Sequence, residues 1–304
     1  STPEAGPSST TDGPRPSGLP AGSDQRAATV SPEVTAQTTE YTSDGTAFEQ
    51  AGTVTAPAVV LVHGLGLRRQ MWDPHVEAMA EHHRVIRYDL FGHGESAPPP
   101  VASSLTLFSE QLCVLLDNLG IGAAAVVGFS LGGMINRRLA VDHPWRVRAL
   151  VILNSPHERG EEAQRMVEER AMETTEGGPA ATIDATLERW FTPGFRATHP
   201  DVVAEVRYWV LANDPASYAQ CRWVLAAGVP ELVRPEPAIT APTLVITSEN
   251  DTGSTPAMSR ALAAEIPGAE TVVVPGLQHL GLIEEPALFT DPIVGFLDGL
   301  ARPN

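Results

Sequence analysis

Short runs of mainly apolar residues recur along the chain, and stretches with helical periodicity separate them. A strand that is apolar at successive positions is typical of a parallel sheet covered on both faces. One helical stretch carries a leucine stripe at 107, 112, 115, 116 and 119. The alternation predicts an α/β fold with a mostly parallel central sheet flanked by helices. The strand-like runs lie at 58–62, 84–89, 123–127, 147–153, 243–247 and 271–274.

Two segments depart from this alternation. A hairpin is predicted at 38–50, where a Ser-Asp-Gly turn separates two short strands. Between residues 155 and 237 helical stretches follow one another, broken by Pro and Gly, without strand-like runs. A patterned segment of this length is not an ordinary loop. We expect it to form a helical cap inserted after the sixth strand.

Composition suggests where the domains begin and end. Residues 1–35 are rich in Ser, Thr, Pro, Gly and Ala and nearly lack large apolar side chains. Such a segment buries too little surface to offset its ordering entropy, so we predict a disordered tail. The predicted core then runs over 36–154 and 238–304, and the predicted cap occupies 155–237 between its two parts.

Net charge and cysteine content limit the classes of binding partner and the cellular location that the chain is expected to have. The chain has 304 residues, a formal net charge of −17 and 42% hydrophobic residues, enough for one sizeable α/β domain. The negative charge argues against nucleic acid and anionic membranes as partners, and an anionic substrate would need local arginines. Cys113 and Cys221 form no disulfide framework, and no apolar run reaches membrane-span length. These features fit a cytoplasmic location and leave the oligomeric state open.

A Gly-x-Ser-x-Gly pattern at 128–132 joins the apolar run ending at Val127 to a helical stretch. This strand–turn–helix context makes Ser130 the candidate nucleophile, because a sharp turn lifts its hydroxyl clear of the sheet. A Cβ at Gly128 or Gly132 would collide with the neighbouring strand or helix. The pattern therefore predicts a nucleophile elbow.

Two backbone amides are candidates for stabilising a developing oxyanion. The amide of Leu131 directly follows the serine, at the start of a predicted helix. The amide of Leu65 lies in a His-Gly-Leu-Gly loop at 63–66, after an earlier strand. His93 lies in a Gly-rich turn, and we interpret it as a structural residue rather than a catalytic one.

The general base is chosen by chain order. In this architecture the order is Ser, acid, His, and His279 is the histidine that follows the strand at 243–247. Asp251, a few residues after that strand, is the predicted acid, with Glu249 as the alternative. His279 would take the proton of Ser130, and Asp251 would hold the imidazole tautomer. No cluster has metal-ligand spacing, so neither a metal nor a cofactor is predicted.

Taken together, these motifs resemble those of α/β-hydrolases over about residues 38–300. More narrowly, the chain resembles 3-oxoadipate enol-lactonases at 143–150, at 187–193 and at Asp251 with Thr255-Pro256. The resemblance implies a cofactor-free hydrolase that opens an enol-lactone ring to a 3-oxoacid. The motifs that carry the wider resemblance are His-Gly-Leu-Gly at 63–66, Tyr-Asp-Leu-Phe-Gly-His-Gly-Glu-Ser at 88–96, the elbow at 128–133, Asp251 and His279.

Two residues are candidates for substrate contact. Trp190 lies in the predicted cap, although a core tryptophan of an amphipathic helix fits as well. Arg68 lies beside the oxyanion loop, although Arg68 and Arg69 are also typical of a solvated loop. The predicted function is a serine hydrolase that cleaves a small ester or lactone through an acyl-enzyme. The alternatives are C–C bond hydrolysis, cofactor-free perhydrolysis and, disfavoured by the filled triad positions, a non-catalytic ligand-binding receptor.

Overall fold

This computed structural model describes residues 38–173 and 178–300. The strands in this part of the chain form one eight-stranded sheet. The predicted tail at 1–35 lies outside the described residues. The strands are β1 Glu40–Tyr41, β2 Ala47–Ala51, β3 Ala58–Val62, β4 Arg84–Tyr88, β5 Ala124–Phe129, β6 Val147–Leu153, β7 Thr243–Ser248 and β8 Glu270–Val274. Their order across the sheet is β1-β2-β4-β3-β5-β6-β7-β8.

The sheet is mostly parallel, as predicted. β1 and β2 form the expected hairpin, and β2 pairs antiparallel with β4. The other ladders, from β4 through β3, β5, β6 and β7 to β8, are parallel. Every residue of the central strands β3 and β5 is buried, which explains their continuous apolar sequences.

Helices connect the strands, and among the described residues five of them lie between β6 and β7. These five, α4 to α8, are called the inserted helices below. The helices are α1 Asp73–Ala80, α2 Leu105–Asn118, α3 Leu131–Asp142, α4 Glu161–Glu173, α5 Ile183–Trp190, α6 Pro193–Thr198, α7 Pro200–Leu211, α8 Pro215–Ala227, α9 Pro256–Ala264, α10 Gly281–Glu284 and α11 Ala287–Leu300. Short 3-10 turns span Arg69–Trp72, Pro144–Arg146, Pro179–Ala181 and Val229–Leu232.

Three helices begin with a capping side chain followed by proline. The side chains of Thr192, Asp214 and Thr255 each accept a hydrogen bond from the backbone amide three residues later. Proline suits the next position, because its missing N–H would have no partner in the helix. These start signals fix where α6, α8 and α9 begin.

The structure differs from the predicted elements mainly at their ends. β5 continues two residues past the predicted strand, through Gly128 and Phe129, directly into the elbow. The last helix, α11, is preceded by a separate short helix, α10. None of the helices in the described ranges is both long and apolar enough to span a membrane.

Candidate active site

Ser130 lies at a strained turn between β5 and α3. Its φ of 55° and ψ of −112° lie outside the regions that non-glycine residues favour. The turn is tight: a Cβ on Gly128 would lie 2.2 Å from the carbonyl oxygen of Gly132. A Cβ on Gly132 would lie 2.2 Å from the carbonyl oxygen of Val62 on β3. Both glycines are therefore needed for the elbow to pack against the sheet, as the sequence predicts.

Asp251 and His279 form a buried pair beside this elbow. The Nδ1 atom of His279 lies 2.6 Å from the Oδ2 atom of Asp251. The two residues follow β7 and β8, which are parallel neighbours, so the loops after their carboxyl ends meet. A hydrogen bond from Nδ1 to the carboxylate leaves Nε2 as the nitrogen able to accept a proton. Ser130, Asp251 and His279 all line one cavity, so the structure brings the predicted triad together.

The Asp251 carboxylate accepts hydrogen bonds at both oxygens. Oδ2 also accepts from the Asn154 amide at 2.9 Å, and Oδ1 accepts from the backbone amides of Gly253 and Ser254 at 2.9 and 3.0 Å. Burial alone would raise the pKa of Asp251, but His279 and these donors outweigh it and hold the pKa below its usual value. The alternative acid, Glu249, is exposed and does not line the cavity.

The predicted oxyanion loop is held by two buried histidines. The Nε2 atom of His93 accepts from the backbone amide of Gly66 at 3.0 Å, and Nε2 of His63 accepts from the amide of Leu90 at 3.0 Å. Burial lowers the pKa of His63 to about 4, and burial together with His63 lowers the pKa of His93 to about 3. Both rings are therefore neutral acceptors at pH 7. Leu65, which lies between His63 and Gly66 in the chain, lines the cavity.

The cavity has a volume of about 420 Å³ and lies between the triad and the inserted helices. Arginines are prominent in its wall, at 159, 170, 189 and 222, while Asp251 is the acidic side chain among its described lining residues. Burial lowers the pKa of Arg159 to about 10. Burial and the neighbouring Arg222 also lower the pKa of Arg189. This wall is positively charged in a chain whose net charge is −17.

Of the two predicted substrate contacts, the structure places one at the site. Trp190 lines the cavity, and its ring centroid lies 6.0 Å from that of His279. Arg68 does not line the cavity, and its Nε donates to the side chain of Gln70 at 2.7 Å. A solvated position is wrong for Arg69, which is buried and forms ion pairs with Glu49, Asp89 and Glu95.

Hydrogen bonds connect the inserted helices to the histidine loop. The backbone amide of Leu280, next to His279, donates to the carbonyl of Trp190 at 2.9 Å. The Glu284 carboxylate accepts from the backbone amide of Thr192 at 2.7 Å and from its hydroxyl at 2.6 Å. We call these contacts the α5–histidine junction.

Sequence reasoning missed Asn154 and the four cavity arginines. Asn154 carries a usable signal, because it directly follows β6 and the adjacent strand, β7, leads to Asp251. The arginines come from the segment before α4 and from α4, α5 and α8, and only packing brings them together. Among residues 38–173 and 178–300, no group of three or more His, Cys, Asp or Glu could hold a metal ion.

The sheet order, the strained serine after β5 and the Asp–His pair after β7 and β8 define the α/β-hydrolase class of enzymes. The chain belongs to this family, since the sequence family described as the alpha/beta hydrolase fold matches residues 57–286. The predicted fold class is therefore confirmed, and the chain is a hydrolase.

Individual relatives agree with the narrower resemblance. The chain is 30% identical to 3-oxoadipate enol-lactonase 2 of Acinetobacter baylyi, over 80% of this chain and 89% of that protein. It is 26% identical to (E)-2-((N-methylformamido)methylene)succinate hydrolase of the same organism, over 79% of this chain and 90% of the relative. The crystal structure of the enol-lactonase from Burkholderia xenovorans LB400 is 32% identical, with a TM-score of 0.75 over 86% of this chain and all of that one.

Proposed function

We propose that this protein hydrolyses a small carboxylic ester or lactone through an acyl-enzyme on Ser130. The proposal depends on one observation: the buried Asp251–His279 pair shares a cavity with the strained serine. As the Ser130 hydroxyl attacks the carbonyl carbon, Nε2 of His279 takes its proton, and Asp251 stabilises the imidazolium. The amides of Leu65 and Leu131 then stabilise the oxyanion. The histidine returns the proton to the leaving alcohol or enol, and water releases the acid.

The arginines favour a substrate that carries a free carboxylate. A guanidinium binds a carboxylate through two parallel hydrogen bonds, and a partly desolvated cavity strengthens this attraction. The cavity wall offers Arg159, Arg189 and Arg222, whereas its acidic lining residue, Asp251, is already paired with His279. The two curated relatives are named for 3-oxoadipate enol-lactone and a substituted succinate. We therefore place an acid-bearing ester or lactone ahead of a neutral ester.

C–C bond hydrolysis and perhydrolysis would use the same triad and oxyanion donors, so the test must separate them by product. The receptor alternative is set aside, because the chain belongs to a family of enzymes. Wild-type protein is offered p-nitrophenyl acetate, a carboxymethyl-substituted enol-lactone, a vinylogous diketone acid, and acetate with hydrogen peroxide. We expect turnover of the ester and faster turnover of the lactone. Cleavage of the diketone alone, or peracid formation alone, would replace the proposal with the corresponding alternative.

The nucleophile is tested by covalent labelling. A fluorophosphonate probe should modify Ser130, as found by peptide mapping, and Ser130→Ala should abolish labelling. Ser109→Ala is the matched control, because Ser109 is a fully buried serine on α2 outside the cavity. It should label like the wild type. Labelling that persists in Ser130→Ala would contradict the assignment.

Removing the cavity arginines should separate two kinds of substrate. We expect Arg189→Gln or Arg222→Gln to raise KM for an acid-bearing ester about 10- to 100-fold, the cost of one or two hydrogen bonds to a charged group. KM for p-nitrophenyl acetate should stay within about 3-fold, because it has no carboxylate to lose contact with. Steady-state kinetics with both esters measures the difference.

The control for this experiment is Arg207→Gln. Arg207 is on α7, pairs with Asp184 and does not line the cavity, so its loss removes the same charge from the inserted helices without touching the site. We expect unchanged kinetics with both substrates. An equal rise in KM for both esters in the Arg189 and Arg222 variants would mean that these residues shape the cavity instead of binding a carboxylate.

A further inference from the structure

Asn154 directly follows β6 and has an unusual backbone conformation. Its φ is 44°, one of three positive values at non-glycine residues in the described ranges, and the residue is fully buried. We propose that Asn154 is a positioning residue that fixes the Asp251 carboxylate toward His279. The inference builds on the triad of the proposed function and adds a group that acts through the acid.

The contacts of Asn154 link the end of β6 to β7 and to the loop after β7. Its Nδ2 donates to Oδ2 of Asp251 at 2.9 Å and to the hydroxyl of Ser248 at 3.2 Å. Its backbone amide donates to the carbonyl of Ile246 on β7 at 2.9 Å, which holds the residue in place. The same carboxylate oxygen accepts from His279, so the side-chain amide and the imidazole share one acceptor. Rotation of the carboxylate would break both contacts.

The choice of asparagine follows from the backbone and the chemistry together. A positive φ is tolerated by Gly, Asn and Asp better than by other residues. Glycine would supply no donor here, and aspartate would place a second carboxylate against Asp251. The Oδ1 atom of Asn154 is buried and has no hydrogen-bond partner among the described residues. An amide that leaves its own oxygen unpaired is oriented by what its nitrogen binds, and the shorter of its two hydrogen bonds is to Asp251.

Two substitutions distinguish the loss of the hydrogen-bond donor at residue 154 from the addition of a negative charge there. Asn154→Gly keeps the backbone conformation and removes the donor, so Asp251 can turn away from His279. Asn154→Asp replaces the donor with a second carboxylate beside the first. The added negative charge favours the imidazolium form of His279, which cannot act as a base, up to a higher pH.

The readout is the rate at which a fluorophosphonate labels Ser130, measured from pH 5 to 9. This rate reports the triad without a known substrate. We expect Asn154→Gly to slow labelling about 10-fold, because a lost hydrogen bond to a charged group has an effect of this size. We expect Asn154→Asp to move the acid limb of the rate profile upward by about one pH unit. In p-nitrophenyl acetate hydrolysis, kcat should fall while KM is unchanged, since Asn154 does not line the cavity.

The matched control is Asn136→Ala. Asn136 is an equally buried asparagine on α3, whose amide bridges the carbonyls of Val126 and Val151 instead of the acid. It should lower the melting temperature and leave the pH profile in place. Circular dichroism establishes that each variant is folded, and if Asn154→Gly fails to fold, the profile of Asn154→Asp decides.

Three results would overturn the proposal. The first is a folded Asn154→Gly variant that is labelled at the wild-type rate. The second is a pH profile of Asn154→Asp whose acid limb is not shifted. The third is a loss of labelling rate in Asn136→Ala equal to that in Asn154→Gly. The proposed function fails separately. If the wild type is labelled at Ser130 yet hydrolyses no ester or lactone, the substrate class is wrong, and the labelling profiles still decide the role of Asn154.

Discussion

Asp251→Asn should lower kcat on an activated ester by about 10⁴, the size of the loss when the acid of a Ser-His-Asp triad is replaced. The reason lies in the donors around the carboxylate. Oδ1 faces the backbone amides of Gly253 and Ser254, so the oxygen of an asparagine would take that position. Its NH₂ group would then face Nδ1 of His279 and force the ring to carry its proton on Nε2. In that tautomer the ring cannot accept the proton of Ser130.

Glu249→Gln is the control for this substitution. Glu249 lies two residues before Asp251 and accepts from the backbone amide of Gly276 at 2.9 Å, outside the cavity. We expect near-normal kcat from Glu249→Gln, and melting temperatures show that both variants are folded. If Glu249→Gln loses activity while Asp251→Asn keeps it, the acid has been assigned to the wrong residue.

Acid should destabilise the protein steeply through its buried histidines. Burial lowers the pKa of His63 and His75 to about 4 and, with His63 nearby, that of His93 to about 3, from an ordinary value of 6.5. The unfolded chain binds these protons below pH 6.5 and the folded chain does not. Their contribution is therefore complete above pH 6.5 and is lost as the pH falls toward 4. Together, the three histidines lower the free energy of unfolding by up to about 4 kcal/mol for each unit by which the pH falls.

Urea unfolding at half-unit steps from pH 7 to 4 measures this slope. His63→Asn should reduce it by about 1.4 kcal/mol per pH unit, the share of one group. His199→Asn is the control, because the side chain of His199 is exposed. Its described contacts are a hydrogen bond with Thr198 and ring stacking on Phe195. A wild-type free energy of unfolding that stays level between pH 6 and 4.5 would show that the rings are protonated inside the fold.

The parts of the fold that depend on local chemistry were predictable from the sequence. Mainly apolar runs identified the buried strands, and a capping residue followed by proline marks the start of α9. The elbow was predictable because close backbone contacts leave no room for a Cβ at Gly128 or Gly132. These contacts are with residues near Ser130 in the chain and with β3. The sequence pattern did not show where β5 ends, because its last two residues belong to both the strand and the turn.

The candidate site was predictable only where chain order constrains it. Asp251 and His279 follow from the order of strands, since each lies in the loop that follows one. Arg68 is near Leu65 in sequence, but its side chain bonds Gln70 and does not line the cavity. The arginines that do line the cavity come from α4, α5, α8 and the segment before α4. Which face of such a helix meets the cavity depends on long-range packing, which periodicity does not encode.

The α5–histidine junction limits how the cavity can change shape. The carbonyl of Trp190 accepts from the amide of Leu280, the residue after His279, and in a second contact the Glu284 carboxylate accepts from Thr192. Any tilt of α5 that widens the cavity also pulls on the loop that carries His279. Cavity size and the position of His279 are therefore mechanically linked. We therefore expect shorter side chains on α4 and α8 to enlarge the cavity without moving His279, which a tilt of α5 would not do.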